Sequence, residues 1–146
     1  MTKLLALTIV LATTATLHAE SLEEKKFWKG EMHYLQREID EAQKRCDTTF
    51  KFDWIDKEKF RAAAEKEKAR TSPQGICANI IKETARLCRM GEDEKGAVKA
   101  KITGFACGYS KPRKLDMSKG GVVTYLGNQE EHNFADWAMP WLQKKL

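Results

Sequence analysis

The sequence predicts an α+β domain in which three N-terminal helices precede a small antiparallel β-meander and a C-terminal helix. Three observations lead to this prediction. Apolar residues recur at helical spacing in the first part of the chain, apolar and polar residues alternate in the second part, and four cysteines supply two disulfides. After removal of the signal peptide assigned below, the 146-residue chain has the length of one domain.

The N-terminus has the composition of a cleavable secretory signal. Lys3 supplies the positive charge, residues 4–12 form an apolar run, and small residues lead to Ala19 just before a charged segment. The apolar run is too short to span a bilayer, which takes roughly 20 residues, but it fits a signal peptide. We therefore expect cleavage after Ala19, with Ala15 as the alternative. The mature domain, residues 20–146, is then periplasmic or secreted and has no membrane span.

The first helix is expected over residues 22–45, because apolar side chains recur there at spacings of three and four. Its buried stripe contains Trp28, Met32, Leu35, Ile39, Ala42 and Cys46. Residues 50–54 alternate and indicate a short extended segment. Asp56 is expected to cap a second helix that reaches Ala69, with Phe60 and residues 62–64 on its buried side.

The third helix is expected to begin at Ser72-Pro73, since serine accepts the free amide protons of a first turn and proline is tolerated there. Gly91 is expected to end it in the left-handed conformation. A last helix is expected to start near Met139-Pro140, because proline disfavours positions deeper in a helix.

The period changes after a polar turn at residues 92–96. Val98, Ala100 and Ile102 alternate with polar residues and predict a strand that continues to Tyr109, with a bulge or kink at Gly104. Two more short strands are expected, at residues 115–117 and 122–126, joined by a hairpin turn over residues 118–121.

The cysteines favour a structural disulfide framework, because their number is even in an exported chain and none are at C-x-x-C spacing. Cys77 and Cys88 fall in the same predicted helix, about 16.5 Å apart along its axis. A disulfide requires Cα atoms within about 7 Å, so these two do not pair. We favour Cys46–Cys88 with Cys77–Cys107, and the alternative is Cys46–Cys77 with Cys88–Cys107.

No pattern of catalytic, metal-ligating or cofactor-binding residues is evident. The two histidines of the mature chain, His33 and His132, each lack a second ligand at a fixed spacing. A carboxylate pair such as Glu38 or Asp53 with Glu83 has almost no specificity in an acid-rich chain. We expect no cofactor and no metal, and whether the chain is an enzyme is left open.

Two surfaces are candidates for binding. Residues 95–119 contain seven lysines and arginines against one acid, and an aromatic tail places two tryptophans at i, i+4 spacing. The alternatives are a solubilising face and docking of the last helix onto the core. The candidate residues are Lys99, Lys101, Arg113, Lys114, Trp137 and Trp141.

These observations favour an exported, non-enzymatic binding protein, such as an inhibitor or immunity-type partner of another exported protein. The alternative is a small exported hydrolase that acts on an envelope polymer. The expected partner is another exported protein or an anionic envelope component. The net charge of +5 is modest and calls for no nucleic acid.

Overall fold

Five helices and a four-stranded mixed sheet make up the residues that the computed structural model describes, 21–66, 72–128 and 133–146. The predicted signal peptide and His132 lie outside these residues. In chain order the elements are α1 (Leu22–Cys46), β1 (Lys51–Ile55), α2 (Lys57–Lys66), α3 (Pro73–Leu87), α4 (Glu92–Lys101), β2 (Gly104–Tyr109), β3 (Lys114–Met117), β4 (Val122–Gly127) and α5 (Phe134–Lys145). The α+β class is confirmed. Within the described part of the chain, no helix is long and apolar enough to cross a bilayer.

The sheet is not the antiparallel meander that the sequence predicted. Its strand order is β1-β2-β4-β3, with β1 parallel to β2, β2 parallel to β4, and only β3 antiparallel to its neighbour β4. The hairpin of β3 and β4 forms as expected, but β4 enters the sheet beside β2 and leaves β3 at the edge. The extended segment at residues 50–54 becomes β1, and α2, α3 and α4 supply the long connection that a parallel pair requires.

Residues 92–101 form the helix α4, where the sequence predicted a turn and the start of a strand. Acidic residues fill the first turn and lysines the last turn, which complements the helix dipole. Val98 and Ile102 are buried and lie four residues apart, while Ala100 is exposed. The alternation of Val98, Ala100 and Ile102 fitted a strand, but the burial of two residues four positions apart, with the one between them exposed, is typical of a helix.

The starts of the second and third helices are as predicted. The Ser72 hydroxyl accepts a hydrogen bond from the Gly75 amide at 3.2 Å, and the Asp56 carboxylate accepts one from the Lys59 amide at 3.1 Å. The end of the third helix differs, because α3 stops at Leu87 and Gly91 is extended, with a φ of −179°. Gly91 is instead the residue that precedes α4.

The last helix, α5, begins at Phe134, and Pro140 lies inside it. The prediction that proline marks its start was therefore wrong. Pro140 is exposed and removes only one main-chain donor. Ala138 and Leu142, on the buried side of α5, are fully buried and offset that loss.

Two disulfides join the helices to each other and to the sheet. Cys46–Cys88 links the ends of α1 and α3 with 5.2 Å between Cα atoms, and Cys77–Cys107 links α3 to β2 with 5.8 Å. This is the pairing that the sequence favoured. At the opposite end, the Glu31 carboxylate accepts hydrogen bonds from residues at the start of α3, so α1 and α3 run parallel, as expected.

The helices pack on one face of the sheet. On that face, β2 and β4 contribute Phe105, Cys107, Val123 and Tyr125, which are all buried. The three parallel strands end together, since Ile55 is paired with Gly108 and Tyr109 with Gly127. The helix α2 follows β1 directly, and therefore lies beside this edge.

Candidate functional site

A cleft of about 500 Å³ opens at the edge where the parallel strands end. Proteins with parallel strands commonly bind ligands at the carboxyl edge of the sheet, and this volume is typical of small-ligand sites. We call it the lysine cleft. It is lined by Lys59, Ala62, Ala63 and Lys66 of α2, by Tyr109 and Lys111 at the end of β2, and by Asn128 after β4.

The first wall of the lysine cleft is one face of α2. Residues 59, 62, 63 and 66 share that face because they are separated by three or four positions. Lys59 and Lys66 are two turns apart, about 10.5 Å along the axis. Between them only the methyl groups of Ala62 and Ala63 project, which leaves the space of the cleft.

Aromatic packing holds α2 in place. Phe60 is fully buried, and its ring centroid lies 6.4 Å from that of Trp28, 5.7 Å from that of Trp54 and 6.2 Å from that of Tyr109. These residues come from α1, β1 and β2. The wall that carries Lys59 and Lys66 is therefore anchored to the core.

The opposite wall is fixed by Asn128, which is 8% exposed. Its side-chain amide donates hydrogen bonds to the main-chain oxygens of Ser110 at 3.2 Å and Lys111 at 2.5 Å. The Ser110 amide also donates to the Gly127 oxygen at 3.0 Å. The backbone that carries Lys111 is thus held against the end of β4.

The charged side chains in the described lining of the lysine cleft are all positive. Among its described lining residues there is no carboxylate. The described ion pairs involve Arg45, Arg61, Lys82, Arg86, Lys95 and Lys99, and within the same residues none is formed by Lys59, Lys66 or Lys111. The site can therefore accept an anion without first breaking a described ion pair.

The structure places Lys99 and Lys101 on α4, where residues two apart point to different sides. In the strand that the sequence predicted here, alternation would have placed both lysines on one face, and the helix separates them. Lys99 donates a hydrogen bond to the Asp47 carboxylate at 2.8 Å and thereby lowers the pKa of that carboxyl. Lys101 donates to the main-chain oxygen of Leu146. Both lysines therefore have partners within the domain.

The other predicted binding residues lie elsewhere. The Arg113 guanidinium stacks 4.5 Å from the ring centre of Trp137, and Lys145 lies 5.7 Å from that of Trp141. Both tryptophans pack against the hydrophobic core. Lys114 begins β3 and is exposed, at the end of the hairpin away from its turn. The basic segment is thus divided over separate parts of the surface.

The carboxylates considered in the sequence are only partly brought together. Glu38 and Glu83 line a groove between α1 and α3, and each has a cation partner, Lys82 at 3.5 Å and Arg86 at 3.4 Å. Asp53 lies on β1, and no three potential ligands gather as a metal site among the described residues.

The lysine cleft was not evident from the sequence, because its residues come from three separated segments. The signal within α2 was the seven-residue spacing of Lys59 and Lys66 around two alanines. Residues 62–64 were instead assigned to the buried side, but Ala62 is exposed and only Ala63 is buried among those whose side chains are described. Lys111 was one of the seven basic residues counted in residues 95–119 but was not among the candidate binding residues, and Asn128 carried no local signal.

Comparison of the chain with protein-family models, with curated proteins and with solved structures found no match.

Proposed function

We propose that this chain is an exported, non-enzymatic binding protein that holds an anionic group of its partner in the lysine cleft. The observation that carries the proposal is the set of three lysines around one cleft, with no carboxylate among the described lining residues. An anion bound in the cleft is attracted by all three ammonium groups, and this attraction offsets the repulsion among them. The partner is another exported protein, as for an inhibitor or immunity protein, or an anionic envelope component.

Export is proposed from the N-terminal sequence. The two disulfides support it, because disulfides form and persist in oxidising compartments. N-terminal sequencing of native protein should find Glu20 as the first residue, and retention of Met1 would contradict export by cleavage.

The hydrolase stays the alternative. It requires two carboxylates on opposite sides of a cleft, roughly 5–9.5 Å apart. Glu38 and Glu83 share a groove, but each is paired with a cation. That arrangement is equally typical of a surface ion-pair network, so it does not favour hydrolysis over binding.

The proposal is tested with two variants that lose the same charge. The cleft variant carries Lys59→Gln, Lys66→Gln and Lys111→Gln. The control variant carries the same change at Lys44, Lys51 and Lys144, which are exposed and lie outside the cleft. Because the net charge falls equally in both variants, any difference in their anion binding must come from where the lost lysines lie.

Immobilised heparin serves as a defined polyanion. The cleft variant should elute at a clearly lower salt concentration than the control variant, since only the former loses charges that converge on one site. Thermal melting checks that both variants fold. Elution of both variants at the same salt concentration would overturn the proposal.

A further inference from the structure

We infer that the lysine cleft is a binding site for a phosphomonoester, held as a dianion over Ala62 and Ala63. This inference rests on the proposed function, because it names the class of anion that the same cleft binds. The geometry of α2, the number of charges and the size of the cleft each support it.

The lysines can converge on one group. Lys59 and Lys66 are about 10.5 Å apart along the helix axis, so a point above the two alanines lies about 5 Å along the axis from each. The flexible four-carbon stem of lysine spans such a distance. Lys111 lies on the facing wall, at a backbone position fixed by Asn128. Three ammonium groups can therefore surround one anion at this point.

The charge favours a phosphomonoester over a carboxylate. A phosphomonoester carries about −1.5 to −2 charges at pH 7 and offers three acceptor oxygens, whereas a carboxylate carries one charge. Lysine binds phosphate as a point charge. The three acceptor oxygens of one phosphomonoester thus equal the three ammonium groups in number, and its charge offsets more of their positive charge than the single charge of a carboxylate does.

The cleft also has room for the organic part of an ester. Its volume of about 500 Å³ is well above that of a phosphate group. The side chain of Tyr109 and the two alanine methyl groups offer apolar surface beside the lysines. A sugar phosphate in solution and a terminal phosphate on a lipid both present this chemistry.

The first experiment is an amide chemical-shift titration of the whole protein with inorganic phosphate, sulfate and acetate at constant ionic strength. Inorganic phosphate loses its second proton around neutral pH, somewhat above the pH of about 6 at which phosphomonoesters do, so its affinity should rise several-fold between about pH 5 and about pH 7.5. Sulfate keeps two charges across this range. Any effect of protonating the protein's own groups changes both affinities, so it drops out of the ratio of phosphate to sulfate affinity. Acetate should bind more weakly than either at the higher pH.

Single variants show where the anion binds. Lys59→Gln, Lys66→Gln and Lys111→Gln should each weaken phosphate binding about two- to five-fold, the size expected for a partly exposed ion pair. The control Lys51→Gln should leave it unchanged. Equal affinity for phosphate and acetate, a phosphate-to-sulfate ratio that ignores pH, or equal effects of all four variants would each overturn the inference.

Two further arms distinguish the source of the phosphate. Glucose 6-phosphate should bind at least as tightly as inorganic phosphate if the ligand is a soluble ester, and vesicles with phosphatidic acid should compete with it if the ligand is a lipid. If neither binds, the inference fails. If the cleft and control variants still differ in heparin elution, the proposed function stands without this inference. If they do not differ, both the inference and the proposed function are contradicted.

Discussion

At the scale of single residues, the basic side chains differ in what they face. Lys99 and Lys101 bind oxygens of their own domain, whereas Lys59, Lys66 and Lys111 line the lysine cleft. The charge count over residues 95–119 showed where basic residues lie in the sequence, but not where their side chains lie in the folded structure. The arrangement matters because charges that converge on one point attract an anion more strongly than the same number of charges scattered over a surface.

The contact between Lys99 and Asp47 can be tested by titration. The pKa of Asp47 is lowered first by the hydrogen bond from Lys99, then by the charges of Lys99 and Lys95. Lys99→Gln should therefore raise this pKa, and Lys95→Gln should raise it less. Carboxyl NMR titration measures both, and an Asp47 that titrates identically in Lys99→Gln protein would show that the contact does not form.

The same contact has a consequence for acid stability. A carboxyl whose pKa is lower in the folded state stabilises the fold above its unfolded pKa, and this contribution is lost as the pH falls through the folded pKa. The unfolding free energies of wild type and Lys99→Gln should thus differ more at neutral pH than in strong acid.

At the scale of elements, a helix was easier to predict from the sequence when it buries more residues. The helices α1 and α3 have long apolar stripes and capping residues, and the sequence predicted both, except for the end of α3. The helix α4 buries only Val98, so its pattern was too weak to distinguish from a strand. Gly104 was expected to bend a strand. It begins β2 instead, and a Cβ atom there would lie 2.5 Å from the Lys51 main-chain oxygen.

The Cys46–Cys88 disulfide should be a major contribution to stability, because it joins residues 42 positions apart. Restricting an unfolded loop of about this length contributes roughly 3–4 kcal/mol. Cys88→Ser should lower the unfolding free energy by about that amount, as measured by denaturant unfolding. The double variant Cys46→Ser, Cys88→Ser controls for the free thiol. Peptide mapping that linked Cys77 to Cys88 would contradict the fold.

At the scale of the whole molecule, the lysine cleft is a product of long-range pairing. The pairing of Ile55 with Gly108 and of Tyr109 with Gly127 brings the carboxyl ends of β1, β2 and β4 to one edge. Residue periodicity reports neighbours along the chain, so it predicted α1, α2 and α3 but not which strands pair. The candidate site therefore became evident only in three dimensions.

The central claim is that anions bind in the lysine cleft, to which Lys111 of the basic segment contributes, and not along the rest of that segment. Amide chemical-shift mapping with a short heparin oligosaccharide tests it most directly, because it monitors the backbone amides of the cleft and of the basic segment in one experiment. We expect the largest shifts at residues 59–66, at residues 109–111 and at Asn128. Shifts confined to residues 95–101 and 113–119, with none in the lysine cleft, would contradict this account.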